Sequence, residues 1–144
     1  MTTAREIMTE GAECAGADDT LLDAARKMRD LGVGALPICG VDERLEGMVT
    51  DRDIVVAGIA EGRDPATTRV SEPADGRAVT IGADDAIEEA LRTMIEHGVR
   101  RLPVIDGDRL VGMVAQADVA RATSPQQAGE LLAALSAAPD NSGS

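Results

Sequence analysis

Thr50 and Asp53 are the two residues whose types and spacing best fit a small polar binding site. They follow a predicted strand and lie at the predicted start of a helix. There, a threonine hydroxyl can join free backbone N–H groups in holding an anion, and a carboxylate three residues later can accept hydrogen bonds from ligand hydroxyls. Threonine and aspartate are also common helix caps. Ligand binding and plain capping are therefore both open for this pair.

Cys14 and Cys39 form a second constellation, because they are predicted on the first two strands of one strand–helix–strand unit. Such strands lie side by side about 4.8 Å apart, which is within the Cα separation that a disulfide accepts. Strand register decides whether the bond forms. In a reducing compartment two buried thiols are the default, and a structural or redox disulfide is the alternative.

Catalytic and metal chemistry find little support in the sequence. The lone His97 has no suggested Ser or Cys nucleophile with an orienting acid around it. One histidine and two cysteines separated by 25 positions match no zinc spacing. We therefore predict no catalytic residues, no metal site and no enzyme.

Composition narrows the possible partners. The formal charge of −12 opposes binding to nucleic acid or to anionic lipid, since both depend on clustered Lys and Arg. No run approaches the roughly 18 apolar residues of a membrane span, and residues 1–11 lack the apolar core of a secretory signal. We expect a cytoplasmic protein without nucleic-acid or membrane partners. Without Phe, Tyr or Trp, any bound base must be held by aliphatic side chains and backbone.

The chain carries an internal repeat at a spacing of 66 residues. Residues that recur at this spacing include Gly16, Asp19, Ala24, Met28, Gly32 and Pro37, which return as Gly82, Asp85, Ala90, Met94, Gly98 and Pro103. After a one-residue deletion, Gly47, Met48, Val49 and Asp53 return as Gly112, Met113, Val114 and Asp118. Duplication is the simplest explanation.

Each copy predicts the order strand, helix, strand, strand, helix. The predicted strands are 13–15, 35–39 and 45–49 in the first copy and 79–81, 101–105 and 110–114 in the second, and the second helices begin near Asp51 and Gln116. Asp85 with Glu88 three residues later fits a capping box. Gly32 and Gly98 are predicted left-handed C-caps of the first helices.

This order predicts an α/β fold in which each copy forms a three-stranded sheet, its first two strands parallel through a right-handed crossover. One copy of about 50 residues is too small to fold alone, so we expect a pseudo-two-fold pair. The predicted bounds are 1–61 for the first repeat, 62–69 for the linker, 70–123 for the second repeat and 124–144 for a C-terminal helix and tail.

The C-terminal helix has clear start signals. Ser124 is the predicted N-cap, with Pro125 at the first helical position and Gln127 at the third, and the helix should extend to about Ala137. Its leucines can pack on the body or on a second subunit. Residues 139–144 are predicted to be disordered.

The segments 36–38 and 47–53, with their copies, resemble the CBS-domain family over roughly residues 3–121. Within it, the chain is similar to short actinobacterial hypoxic-response proteins that consist of a CBS pair. The resemblance implies nucleotide sites in the clefts between paired repeats, typically for adenosine compounds such as AMP or ATP. It assigns Asp53 to the ribose hydroxyls and places a phosphate near Thr50 and Arg52.

The second repeat departs from the pattern, because Ala115 replaces Thr50 and only Asp118 is kept. Arg100 and Arg101 precede its strand at 102–103, where related proteins often place a phosphate-binding basic residue. Exposed surface charge is the alternative for these arginines and for Arg52. The two sites therefore cannot be equivalent.

The leading hypothesis is a regulatory module that binds an adenine nucleotide or related metabolite, requires no cofactor and signals in trans to an unidentified effector protein. Apolar residues on the second helix (Ile54, Val55, Val56 and Ile59) predict a homodimer. The alternative is a ligand-free structural or stress-response dimer, stabilised or switched by Cys14 and Cys39.

Overall fold

The computed structural model describes residues 1–73 and 78–137, and the tail predicted to be disordered lies outside these residues. The elements in chain order are α1 (Ala4–Ile7), β1 (Thr9–Glu10), β2 (Ala15–Gly16), α2 (Leu21–Leu31), β3 (Ala35–Cys39), β4 (Leu45–Thr50), a π-helix (Asp53–Gly58), β5 (Ile81–Gly82), α3 (Ile87–His97), β6 (Arg101–Asp106), β7 (Arg109–Ala115), α4 (Gln116–Ala122) and α5 (Pro125–Ala137). Short 3₁₀ turns occupy Val41–Glu43 and Ile59–Glu61.

The described chain forms two units, each built on one repeat. The first-repeat unit comprises residues 13–73 with Ala78, and the second-repeat unit comprises residues 1–12 and 79–137. Each unit has the predicted mixed α/β character, and each has its own apolar core.

The sheet of the first-repeat unit has the order β2-β3-β4. Strand β3 pairs parallel with β2 and antiparallel with β4, as the predicted crossover through α2 followed by a hairpin requires. All five residues of β3 are buried, because the strand is central. Beneath the sheet, α2 presents its apolar face, and the core includes Leu21, Ala24, Met28, Leu36, Ile38 and Val49.

The second-repeat unit repeats this pairing and adds one strand. Its sheet has the order β1-β7-β6-β5, with β5 and β6 parallel and β6 and β7 antiparallel. Sequence reasoning did not find β1 or α1. Strand β1 lies so close to β7 that a Cβ on Gly112 would approach the carbonyl oxygen of Thr9 to 2.8 Å, so only glycine fits there.

Both first helices end as predicted, at glycines in the left-handed region. Gly32 has φ 69° and Gly98 has φ 63°, and each donates its backbone N–H to the carbonyl of the helix's methionine four residues earlier. A residue with a side chain is strained in this conformation, whereas glycine adopts it freely.

The predicted capping box at Asp85 is wrong. The Asp85 carboxylate accepts the N–H of Gly82 at 3.0 Å, and Ala86 is the N-cap of α3. The capping box lies instead in the first repeat, where Thr20 and Asp23 bond each other's backbone N–H groups. The reason is that a side chain caps only from the position directly before the helix, which is Thr20 in one copy and Ala86 in the other.

Helix α5 forms as predicted, with Ser124 and Gln127 in a reciprocal cap. The Gln127 N–H donates to Ser124 Oγ at 3.1 Å, and the Ser124 N–H donates to Gln127 Oε1 at 3.2 Å. Leu131 and Leu135 are buried in the core of the second-repeat unit, whereas Leu132 is exposed. The helix therefore packs on the body of its own chain and leaves one leucine outside.

Candidate functional site

Thr50 lies at the end of β4, where the chain passes directly into a helical segment. It pairs with Ala35 at the start of β3, and the next residue, Asp51, donates its N–H to the carbonyl of Gly34 at 2.9 Å. Thr50 is buried, whereas Asp53 is partly exposed. The hairpin thus fixes the hydroxyl and carboxylate at the open N-terminal end of this helix.

Thr50 and Asp53 cap the helix reciprocally. The Thr50 N–H donates to Asp53 Oδ2 at 2.9 Å, and the Asp53 N–H donates to Thr50 Oγ1 at 3.0 Å. The capping interpretation of the pair is therefore realised. It does not use the whole donor and acceptor capacity, since a hydroxyl can also donate and a carboxylate has a second oxygen.

Within residues 1–73 and 78–137, no protein group donates a hydrogen bond to Asp53 Oδ1. In the same residues, no protein group accepts a hydrogen bond from the Thr50 hydroxyl. Arg52, next to them, is exposed and forms no ion pair in the described part of the chain. One acceptor, one donor and one cation are thus available around a helix N-terminus, which is a set that suits a phosphorylated polyol.

The corresponding place in the second repeat is filled by the protein itself. The Asp118 carboxylate accepts the Ala115 N–H at 2.8 Å through Oδ2, and the guanidinium of Arg121 donates to Oδ1 at 2.8 Å. The residue matching Arg121 in the first repeat is Val56. Asp118 therefore keeps the cap but offers neither a free oxygen nor a neighbouring hydroxyl.

The structure places Arg101 at the start of β6 and Arg100 directly before it, beside the start of α4. Arg101 pairs with Ala115, and the carbonyl of Arg100 accepts the Gln116 N–H at 2.9 Å. Both side chains are partly buried, and the Arg100 guanidinium is directed at the carbonyl of Leu135 in α5, 3.5 Å away. A phosphate role for either arginine stays a prediction.

The two cysteines are joined. Cys14 and Cys39 form a disulfide with a Cα separation of 5.7 Å. The register that permits it pairs Gly16 with Cys39, so that Cys14 lies two residues before the partner of Cys39. In the second repeat the same register pairs Gly82 with Ile105, and no cysteine is present. The disulfide is therefore a property of the first repeat alone.

Within the described residues, the possible metal ligands lie apart from one another. In the part of the chain that the structure describes, no three His, Cys, Asp or Glu side chains come together. Both cysteines are bridged, and the exposed His97 has Nδ1 3.1 Å from the carbonyl oxygen of Thr93. Nor does any helix in the described residues have the length and apolarity to cross a membrane.

These features define a tandem CBS pair, and the chain belongs to the CBS-domain family, whose model matches residues 4–59 and 73–124. Within the family it resembles Hypoxic response protein 1 of Mycobacterium tuberculosis, with 53% identity over 121 residues that cover 84% of this chain and 85% of that protein. It is also 37% identical to the CBS domain-containing protein YhcV of Bacillus subtilis, over 94% of this chain and 96% of that one.

Solved structures agree with this assignment. A crystal structure of Hypoxic Response Protein I with two coordinated zinc ions matches with a TM-score of 0.79 and 51% identity, over 85% of this chain and all of that one. The structure of CBSX2 in complex with AMP matches with a TM-score of 0.72 and 23% identity, over 83% of this chain and 94% of that one, which shows the shared fold. Among the described residues of this chain, no three His, Cys, Asp or Glu side chains form a group that could hold such an ion.

Proposed function

We propose that this chain is a regulatory CBS module that binds an adenine nucleotide, of the AMP or ATP type, or a related metabolite. Asp53 accepts hydrogen bonds from the ribose hydroxyls, and Thr50 holds a phosphate with help from Arg52. One observation carries the proposal: the Thr50–Asp53 cap leaves a carboxylate oxygen and a hydroxyl hydrogen without partners in the described chain. The complex of CBSX2 with AMP supports the ligand class.

The first repeat is the preferred site. Asp118 already accepts a guanidinium, and Ala115 brings no hydroxyl, so a ribose there would have to displace the Arg121 ion pair. Without aromatic residues, the base is held by aliphatic side chains and backbone groups. With a net charge of −12, the chain repels a polyanion at long range, so Arg52 must act locally.

The test is a thermal-shift and calorimetric titration with AMP, ADP, ATP, NAD and S-adenosylmethionine. A ligand at 100 times its dissociation constant adds about 2.7 kcal/mol to the free energy of unfolding. Asp53→Ala removes charge-assisted bonds of about 1.5–3 kcal/mol each, so it should weaken binding roughly tenfold or more.

A matched variant distinguishes the capping role of Asp53 from its role in ligand recognition. Thr20 and Asp23 form a capping box of the same geometry at the start of α2, with N–H to oxygen distances of 3.0 and 3.1 Å. Asp23→Ala should lower the melting temperature and leave the ligand-induced increment intact, whereas Asp53→Ala should reduce that increment by about half or more. Equal nucleotide affinity in wild type and Asp53→Ala, or no binding to wild type at millimolar concentration, would reject the proposal.

We further propose that the module signals to another protein as a cytoplasmic homodimer and performs no catalysis itself. Val55, Val56 and Ile59 on the second helix are 55%, 44% and 54% exposed, which leaves an apolar surface for a second copy. Ile54, counted with them in the sequence, is buried in the core. Sedimentation should give twice the chain mass of 14.9 kDa, and a clean monomer at micromolar concentration would contradict the dimer.

The Cys14–Cys39 disulfide supports a second candidate function. In it, the chain is a ligand-free stress-response dimer whose first repeat is stabilised or switched by oxidation of Cys14 and Cys39. The lysine ammonium of Lys27 donates to the Cys14 carbonyl at 2.7 Å, so the bridge is tied to α2 as well as to β3. If no nucleotide shifts the melting temperature but reduction changes the dimer, this function becomes the better one. Two thiols that alkylate fully in native, air-exposed protein would remove it.

A further inference from the structure

The two sulfurs of the Cys14–Cys39 bridge have different surroundings. Cys39 ends the central strand β3 and is 8% exposed, whereas Cys14 directly precedes the edge strand β2 and is partly exposed. A reagent in solvent therefore reaches Cys14 more easily than Cys39. The corresponding residues of the second repeat are Thr80 and Ile105, so this unequal pair occurs once in the chain.

The charges around the pair differ between the two cysteines. The ammonium of Lys27, on α2, donates to the Cys14 carbonyl at 2.7 Å, and this carbonyl belongs to the same residue as the sulfur. Near the other cysteine the charge is negative, because the Glu46 carboxylate lies against Gly40, the residue after Cys39. A Cβ on Gly40 would lie 2.8 Å from Glu46 Oε1. A thiolate is therefore favoured at Cys14 and disfavoured at Cys39.

Two more carboxylates lie near Lys27 and Cys14. Asp23, one helical turn before Lys27, accepts the Thr20 N–H at 3.0 Å and is engaged in the cap of α2. Glu13 precedes Cys14 in the chain and is exposed, so solvent and salt screen its charge. Strand β3, on the other side, carries no charged residue. Lys27 is therefore the charged group that bonds directly to Cys14.

The contacts that position Cys14 do not depend on the disulfide. Strands β2 and β3 pair in parallel through backbone groups, and Lys27 bonds to a backbone carbonyl, so none of these contacts uses a sulfur atom. Reduction breaks only the bond between the two sulfurs. In the reduced chain, the Cys14 sulfur therefore stays beside the Lys27 ammonium and within reach of the Cys39 thiol.

We propose that reduced Cys14 is a hydroperoxide-reactive thiol, that Lys27 positions a charge to favour its thiolate, and that Cys39 is the resolving thiol. The Cys14 thiolate attacks one peroxide oxygen, the O–O bond breaks, and the leaving hydroxide or alkoxide takes a proton. The Cys14 sulfenic acid then condenses with the Cys39 thiol, which forms the disulfide and releases water. The peroxide gains the two electrons that the sulfurs lose. The inference rests on the redox function proposed above and names its oxidant.

The first test compares the two cysteines. Cys39→Ser leaves Cys14 as the only thiol, and Cys14→Ser leaves Cys39. Each variant is treated with hydrogen peroxide in the presence of dimedone, which traps sulfenic acids, and the adduct is followed by mass spectrometry. Cys14 should form the adduct at least about tenfold faster than Cys39, because only Cys14 has the ammonium beside it. Equal rates, or a faster reaction at Cys39, would overturn the proposal.

The second test measures the contribution of Lys27 through the pH dependence of Cys14 alkylation by iodoacetamide, in the Cys39→Ser background. Lys27→Met should raise the pH midpoint of the reaction by about one pH unit or more, and Lys27→Arg should restore it. Arg26→Met removes a neighbouring exposed charge of α2 and should leave the midpoint unchanged. An unchanged midpoint in Lys27→Met, or an equal rise in Arg26→Met, would reject the role of Lys27.

A third measurement needs no variant. Reduced wild type in buffer should form the disulfide with hydrogen peroxide at least about tenfold faster than the same chain unfolded in urea, because only the fold holds Lys27 beside Cys14. Equal rates overturn the proposal, also if the reduced chain does not fold. A slow reaction in a chain whose dimer changes on reduction rejects the hydroperoxide reaction and keeps the redox function. A fast reaction in a chain whose dimer does not depend on redox state rejects that function and keeps the reaction.

Discussion

The two repeats share their strand pairing and differ at the start of the second helix. Leu36 pairs with Val49 in one copy and Leu102 with Val114 in the other, so the hairpins superimpose by register. Each helix start is closed by an aspartate that accepts the N–H of the residue three positions earlier, at 2.9 Å for Asp53 and 2.8 Å for Asp118. Both copies therefore keep the same carboxylate cap.

The two copies differ in the second oxygen of the capping aspartate, and this difference distinguishes a capping role from a ligand-binding role. In the second repeat Arg121 takes it, and in the first repeat Val56 cannot. A cap alone would explain both aspartates. The threonine hydroxyl and the unused oxygen occur together only in the first repeat, so this is where the ligand proposal is strongest.

The second helices also differ in shape and in what covers them. The first repeat continues as a π-helix, in which Ile59 donates its N–H to both Ile54 and Val55, and its outer face is apolar and exposed. In the second repeat α4 is regular, and α5 packs beside it. Helix α5 thus packs against the second helix of the second repeat, whereas Val55, Val56 and Ile59 of the first repeat are exposed.

The largest expected effect comes from the disulfide, which only the first repeat has. The double variant Cys14→Ser with Cys39→Ala should have a free energy of unfolding about 3–4 kcal/mol lower than wild type, because the disulfide closes a loop with a sequence separation of 25. Denaturant unfolding of oxidised wild type against the double variant measures it. Reduced wild type is the control and should behave like the variant. A loss of well under 1 kcal/mol would show that the bridge does not constrain the first repeat.

The next prediction tests whether Arg121 is the residue that keeps the second repeat from binding a nucleotide. Ala115→Thr with Arg121→Val gives the second repeat the side chains of the first at these positions, freeing Asp118 Oδ1 and supplying a hydroxyl. Calorimetric stoichiometry should rise from one nucleotide per chain to two, with the new site within about tenfold of the old in affinity.

Ala115→Thr alone is the control, because it leaves the ion pair in place and should remain at one nucleotide per chain. Unchanged stoichiometry in the double variant would mean that other residues exclude the ligand from the second repeat.

A smaller effect should be the same in both repeats. Gly32→Ala and Gly98→Ala each place a Cβ on a residue in the left-handed region, which costs about 1–2 kcal/mol. The cost at Gly32 is conformational, since the added Cβ meets nothing within 4 Å. Gly129→Ala, inside α5, is the opposite control and should stabilise by up to about 1 kcal/mol. Unequal losses at Gly32 and Gly98 would show that the repeats differ here too.

Much of the fold could be predicted, because its signals are local. The helix-ending glycines Gly32 and Gly98 and the Ser124 cap each act within one turn of chain, and the structure confirms them. The disulfide pair could be anticipated because Cys39 ends β3 and Cys14 directly precedes the adjacent strand β2, although only the register could decide whether the bond forms.

The rest depends on contacts that no local pattern carries. Strand β1 has two exposed residues and is a strand only because β7 pairs with it. Helix α1 has four residues, and the N–H groups of Ala4 and Arg5 donate to the carbonyls of Asp85 and Ala83 from a distant part of the chain. The Arg121–Asp118 pair is a helical i, i+3 contact, and comparison with Val56 at the same repeat position could have revealed it.

The smallest expected effect concerns the starts of the first helices, where the repeats differ again. The Asp23 carboxylate accepts the Thr20 N–H in the first repeat, and this bond lowers the pKa of Asp23 below its ordinary value of 3.8. At the corresponding position in the second repeat, Ala86 provides no side-chain cap. A carboxylate whose pKa is lower in the folded chain stabilises it above the unfolded pKa, and this stabilisation is lost as the pH falls through the folded value.

Asp23→Asn removes that pH-dependent stabilisation, so its melting temperature should lie below that of wild type near neutral pH and converge with it as the pH falls below 3.8. Glu88→Gln removes a charge from the first turn of α3, where Glu88 is exposed and receives no capping bond in the described residues. It reports the interaction of a helix-end charge without a cap. If the melting temperatures of both variants depend on pH in the same way, the charge at the helix end is sufficient and the capping bond adds nothing. The first helices of the two repeats would then be equivalent despite the different residues before them.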